Sequence, residues 1–145
     1  MYLIDTNVIS EYRKGTRANP GVLQFFAATQ SNSIFLPAQV IGEIQAGIAK
    51  LRREKSEQAK DRADAYELWL DGLLAAFGDR ILHFDTEAAR VWGILLSNEK
   101  KDPHTIDKQI AAIALVNDLV VVTRNKDEAF SCISNMRVLN PFSGG

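Results

Sequence analysis

Four short apolar runs constrain the fold most: YLI at 2–4, IFLP at 34–37, ILHF at 81–84 and LVVVT at 119–123. None alternates with polar residues, so each reads as a strand that is apolar toward both faces. Such strands belong in parallel sheets covered by helices on both sides. A further short run, MRVLN at 136–140, reads as a last strand. The intervening stretches carry helical signals. Residues 7–13 can form one or two helical turns, and Asn19-Pro20 pairs a cap with a proline at the first helical position. Val40, Ile41, Ile44, Ile48 and Leu51 recur at helical spacing, as do Tyr66, Trp69, Leu70, Leu73, Leu74 and Phe77 before Gly78. Asp85-Thr86 starts a helix to about Ser97, and another runs from Ile106 to about Asn117. Strands alternating with helices in this order predict an α/β fold with a mostly parallel central sheet.

At 145 residues the chain reads as one domain over 1–145, long enough to bury a core. A net charge of −1 gives no overall basic field for nucleic acid, although Lys50, Arg52, Arg53 and Lys55 form a local basic cluster. That cluster lies in a charged stretch over 50–64, which reads as a solvated helix face or a turn between helices. The single cysteine, Cys132, excludes an internal disulfide and a cysteine-rich metal site, and fits a reducing cytoplasm. The start lacks a signal-peptide pattern, and no stretch reaches the about 18 apolar residues of a membrane span.

Parallel α/β sheets bind ligands beyond the carboxyl ends of their strands. Asp5 follows YLI, Asp85 follows ILHF, and Thr123-Arg124-Asn125 follow LVVV. Glu43 is the sole charged residue between Ile34 and Ala49, and a lone acid there is costly to bury unless paired or metal-bound. Asp107 opens a helix whose only charges, from Ile106 to Asn117, are Asp107 and Lys108. Each acid also has an ordinary reading. Asp5 and Asp85 suit helix caps, Glu43 suits a half-exposed helix face, and Asp107 is favoured by the helix dipole. His83 and His104 have no partner at metal-ligand spacing. Taken together, Asp5, Glu43 and Asp107 fall at one rim of the predicted sheet. Clustered carboxylates repel unless a proton or a cation intervenes. Oxygen ligands without thiolates or paired histidines suit Mg²⁺ or Mn²⁺. Such a site can activate water and neutralise phosphoryl charge.

Four segments in order, IDTNVISE, VIGEIQAGI, IDKQIAAIALVNDLVVVTRN and the tail VLNPF, resemble the PIN-domain nucleases. The resemblance is closest to the VapC-type and FitB-like toxins of toxin–antitoxin systems. It implies a three-layer α/β/α sandwich and a Mg²⁺- or Mn²⁺-dependent endoribonuclease acting on RNA. Asp5, Glu43 and Asp107 match the family's metal-binding acids. The fourth catalytic position, often Asp, is Asn125 here, and Asp127 two residues later is the alternative carboxylate. An amide still hydrogen-bonds or coordinates through its carbonyl, but it carries no charge. Thr6, Asn7 and Thr123 match positions that hold the site. Arg13, Lys108 and Arg124 stand beside the motifs as substrate-gripping candidates. The resemblance further implies a homodimer and a cognate antitoxin whose C-terminal segment covers the site.

Two other readings compete. A non-catalytic PIN-like module would bind RNA or protein without turnover, given Asn125. A haloacid-dehalogenase-type phosphatase would use Asp5 as nucleophile but requires an Asp at Asn7 and a late lysine, for which Lys126 is a loose fit.

Overall fold

The computed structural model describes residues 1–96, 102–125, 129–130 and 133–144. The chain runs β1 (Tyr2–Ile4), α1 (Thr6–Tyr12), α2 (Pro20–Ala28), β2 (Ile34–Pro37), α3 (Ala38–Arg53) and α4 (Glu57–Phe77). It continues with β3 (Ile81–Leu82), α5 (Thr86–Leu95), α6 (Thr105–Asn117), β4 (Val120–Val122) and β5 (Val138–Leu139). The described strands form one sheet in the order β3-β2-β1-β4-β5, with every pairing parallel.

The absence of polar alternation in the strands has the expected consequence. In β1, Leu3 packs into one core and Ile4 into the other. Val121 and Val122 of β4 divide in the same way. One core lies under α1 to α4, with Val8, Val22, Val40, Ile48 and Leu70 fully buried or nearly so. The other lies under α5 and α6, where residues 110–114 are wholly buried. Helices thus cover both faces, giving three layers.

Local signals explain where the helices begin. Asn19 Oδ1 accepts from the Gly21 N–H with Pro20 in the first turn, Ser56 Oγ accepts from the Ala59 N–H, and Asp85 Oδ1 accepts from the Ala88 N–H. Asp85 is therefore a helix cap. The charged stretch divides between the end of α3 and the start of α4, with Arg52 paired to Asp64 across the turn.

Some boundaries are shorter than the apolar runs. ILHF yields only Ile81–Leu82 as strand, because β3 is an edge strand whose sole partner, β2, ends at Pro37 opposite Leu82. Proline has no N–H to extend the ladder. Likewise MRVLN contributes only Val138–Leu139. The tail beyond β5 lies against the start of α2. Ser143 N–H donates to Asn19 Oδ1, and a Cβ at Gly21 would meet the Pro141 carbonyl at 2.1 Å, so residue 21 must be glycine for this approach. Asp127, Lys126 and Cys132 lie outside the described residues.

Candidate active site

The carboxyl ends of β1 and β4 lie side by side, and the site is assembled there. The Asp5 N–H continues the ladder by donating to the Val122 carbonyl at 2.9 Å. Its side chain then turns into the rim. Asp5 Oδ1 accepts from the Thr6 N–H at 2.8 Å, which makes Asp5 the cap of α1. Asp5 Oδ2 accepts from the Thr123 hydroxyl at 2.7 Å. The capping role and a site role therefore coexist in one side chain, because each uses a different oxygen.

Thr123 is fully buried and joins the two strand ends. Its Oγ1 donates to Asp5 and accepts from Asn7 Nδ2 at 3.3 Å and from the Asn125 N–H at 3.1 Å. Asn7 Oδ1 in turn accepts from the Arg124 N–H at 3.1 Å. A hydroxyl has one proton and two lone pairs, so these three bonds exhaust Thr123. Replacing Thr123 with Val keeps the volume but removes all three. We expect a loss of about 1–3 kcal/mol in urea unfolding, because buried polar groups lose their partners. Thr123→Ser, which retains the hydroxyl, should recover most of it.

α3 brings Glu43 to the same rim, where its Oε1 accepts from the Thr6 hydroxyl at 2.9 Å. Glu43 is exposed, so it is not the buried lone acid that its apolar neighbours predict. Val40, Ile44 and Ile48 of α3 are buried in the core, while Glu43 lies at the edge of that face and is exposed at the rim. Asp107 stands in the first turn of α6 and is half-buried. Asn125 is exposed at the end of β4 and enters the network through its backbone N–H.

Electrostatics tie the three acids together. Burial pushes the Asp5 carboxyl above its ordinary range, against the Thr123 and Thr6 hydrogen bonds that favour its ionised form. Partial shielding from water pushes Glu43 up as well. The Thr6 hydrogen bond opposes this, while the negative charges of Asp5 and Asp107 add to it. Asp5, Glu43 and Asp107 therefore share one field, as three carboxylates at a common site do.

The donor set has the chemistry of a hard-cation site. All three side chains offer oxygen, the ligand Mg²⁺ and Mn²⁺ prefer. Among the described residues, no three acidic, histidine or cysteine side chains are grouped tightly enough to enclose an ion by themselves. Mg²⁺ does not need such a cage. It retains several waters and takes one or two carboxylates directly. The residues thus fit a hydrated cation held partly through water.

Among the basic candidates, Lys108 is not available for substrate. Its ammonium pairs with Asp102, and both side chains are largely buried. The Arg13 guanidinium lies 4.2 Å from the Tyr66 ring centroid and donates to Tyr66 Oη at 2.9 Å. Arg124 is exposed, with its guanidinium 4.7 Å from the Phe142 ring centroid, so the tail supports it. One residue is better placed than its isolation in the sequence implies. His104 immediately precedes α6, and its Nδ1 lies 3.6 Å from Asp107 Oδ2. The signal was its position three residues before an acid at a helix start, a spacing that puts side chains on one face.

Comparison with known proteins agrees with this architecture. The profile of the PIN domain matches residues 2–134. The chain belongs to the PIN-domain family. Among similar proteins, the plasmid stability protein StbB of Pseudomonas syringae pv. tomato is 30% identical over 98% of this chain and 99% of its own length. The VapC ribonuclease Y4jK of Sinorhizobium fredii is 29% identical, covering 98% of both chains. The FitAcB structure from Neisseria gonorrhoeae superposes with a TM-score of 0.77 at 29% identity, over 97% of this chain and 98% of that chain. The family match spans IDTNVISE, VIGEIQAGI and IDKQIAAIALVNDLVVVTRN, while the tail VLNPF lies beyond its last residue, 134.

Proposed function

We propose that this chain is a Mg²⁺- or Mn²⁺-dependent endoribonuclease, organised as a single domain and acting as the toxin of a toxin–antitoxin pair. The observation that carries the reading is the convergence of Asp5, Glu43 and Asp107 at one sheet rim, close enough that two of them raise the proton affinity of the third. Membership of the PIN family and similarity to a protein named as a VapC ribonuclease support it.

Asp5, Glu43 and Asp107 would hold the cation. The chemistry such a cation supplies is neutralisation of charge on the phosphoryl oxygens and acidification of water. The protein's own residues do the rest. Asp5 is fixed by Thr6 and Thr123, so its carboxylate is held before substrate arrives. Glu43 is exposed at the rim and oriented by the Thr6 hydroxyl, so it is placed to hold the cation through water. Arg124, propped on Phe142, meets the anionic backbone. In-line attack on the phosphodiester then leaves 5′-phosphate and 3′-hydroxyl ends. A cognate antitoxin covers the site with its C-terminal segment, and the toxin acts as a homodimer in the cytoplasm.

The test is cleavage of single-stranded and structured RNA in Mg²⁺ and in EDTA, with Asp5→Asn and Asp107→Asn as controls. Activity should require the cation and disappear in both variants. Cleavage that survives both substitutions comes from a contaminant or another site, and defeats the assignment. A second reading rests on Asn125, which carries no charge where PIN nucleases often have an acid. A non-catalytic module of this kind binds RNA without cutting it at any Mg²⁺ or Mn²⁺ concentration.

A further inference from the structure

Beside the acid cluster lies a cavity of about 280 Å³ between α1, α3 and α4. Thr6 and Glu43 line it, so it opens directly from the site. Away from them its walls become apolar: Ile44, Ile48 and Leu51 from α3 face Tyr66 and Trp69 from α4. Arg62 closes one side, and the Arg13 guanidinium lies against Tyr66 within 5.8 Å of the Trp69 ring centroid. One acid, Glu43, at one end, an aromatic and apolar wall, and one cation, Arg62, form a graded environment.

We propose that this cavity is a nucleobase subsite, which receives an unpaired base next to the phosphate being cut. The proposal rests on the nuclease reading above and adds the part of the substrate that sets preference. If the scissile phosphate lies at Asp5, Glu43 and Asp107, the adjoining base must go somewhere within one nucleotide. The cavity that shares Thr6 and Glu43 with the cluster is the neighbouring space. A phosphate is a poor occupant, because Glu43 repels it and the floor cannot solvate it. A base is neutral, flat and apolar on its faces, and it stacks on aromatic side chains whatever its identity. Arg62, which lines the cavity, is placed for the anionic backbone beside the base. A base can enter only if it is out of a duplex, so the subsite selects single-stranded or looped RNA.

Gly47 provides the test. It lines the cavity, sits inside α3, and a Cβ there would meet no atom within 4 Å. Gly47→Leu therefore fills the space without straining the helix. Purified full-length protein is titrated with each of the four 5′-mononucleotides, and tryptophan fluorescence is followed. Trp69 reports from the wall, while the other tryptophan, Trp92, packs on the opposite side of the sheet. We expect a saturable change with at least one nucleotide. Gly47→Leu should weaken its affinity about tenfold or more, the scale of a lost stacking contact. Fluorescence insensitive to all four nucleotides overturns the proposal. Equal affinity in Gly47→Leu overturns it as well, by placing the nucleotide elsewhere. RNA cleavage measured in parallel separates the two readings. Cleavage without mononucleotide binding removes the subsite and leaves the nuclease. Binding that Gly47→Leu weakens, without cleavage, leaves the subsite and removes the nuclease.

Discussion

Asp5→Asn and Glu43→Gln should each lower RNA cleavage by about a hundredfold or more, and the double variant should be little worse than the poorer single. Several kcal/mol of transition-state stabilisation is a reasonable share for charges that hold a catalytic cation, and each 1.36 kcal/mol is about a factor of ten. Non-additivity follows if the acids act as one unit, since removing any member disables the rest. Two independent groups would multiply their losses. Fold integrity can be followed by circular dichroism. An amide at position 5 can accept from only one of its two donors, the Thr6 N–H and the Thr123 hydroxyl. That loss is opposed by removal of a buried charge, so the variant should remain folded. Multiplicative losses in the double variant would mean that Asp5 and Glu43 serve separate steps.

The second large effect concerns stability without divalent ions. Asp5 and Glu43 are both raised above their ordinary values, mainly by removal from water. The folded chain therefore keeps their protons to higher pH than the unfolded chain does. Stability from this source is full below the unfolded carboxylate value of about 4, and is lost as pH rises through the folded values. Asp5 carries most of it, because it is only 4% exposed, whereas water screens Glu43. Glu11 pulls the other way: hydrogen bonds from Lys14 and the Asn19 N–H hold its carboxyl below the ordinary range. The clean measurement is thus the difference between wild type and Asp5→Asn in thermal melts with EDTA. The variant should gain on wild type as pH rises from about 4 toward 8. Mg²⁺ should then stabilise wild type most at the upper end, where the carboxylates are ionised, and stabilise the variant much less. A difference that stays flat with pH would mean that Asp5 ionises as easily in the folded chain as in the unfolded one.

These effects share a cause. A carboxylate held in a buried network by Thr6 and Thr123 is unfavourable for the folded chain alone, and a bound cation would offset that cost. Strain of this kind is a common property of functional sites.

Much of this was legible in the residues. The unbroken apolar character of YLI, IFLP and LVVVT determined strands buried on both faces, hence a parallel sheet between two helical layers. The caps at Asn19, Ser56 and Asp85 are equally local, because an N-cap depends on a side chain and the N–H groups of the turn that follows. The position of Asp5, at the end of the first strand, also came from the sequence, since strand ends and ligand rims coincide in this class of fold.

What only the tertiary structure decided depends on which distant residues meet. That β4 lies beside β1 puts Thr123 on Asp5, 118 positions away. The exposure of Glu43 was decided by how α3 is rotated on the sheet, which its apolar neighbours could not reveal. Lys108 is taken up by Asp102, and His104 meets Asp107 at the start of α6, pairings that depend on how the chain packs there. The cavity at Gly47 belongs to the space between three helices, and no stretch of sequence encodes it alone. Sequence patterns report the burial of each segment, which is a local property. Partners, exposure and cavities are set by long-range packing, and they decide whether three acids become one site.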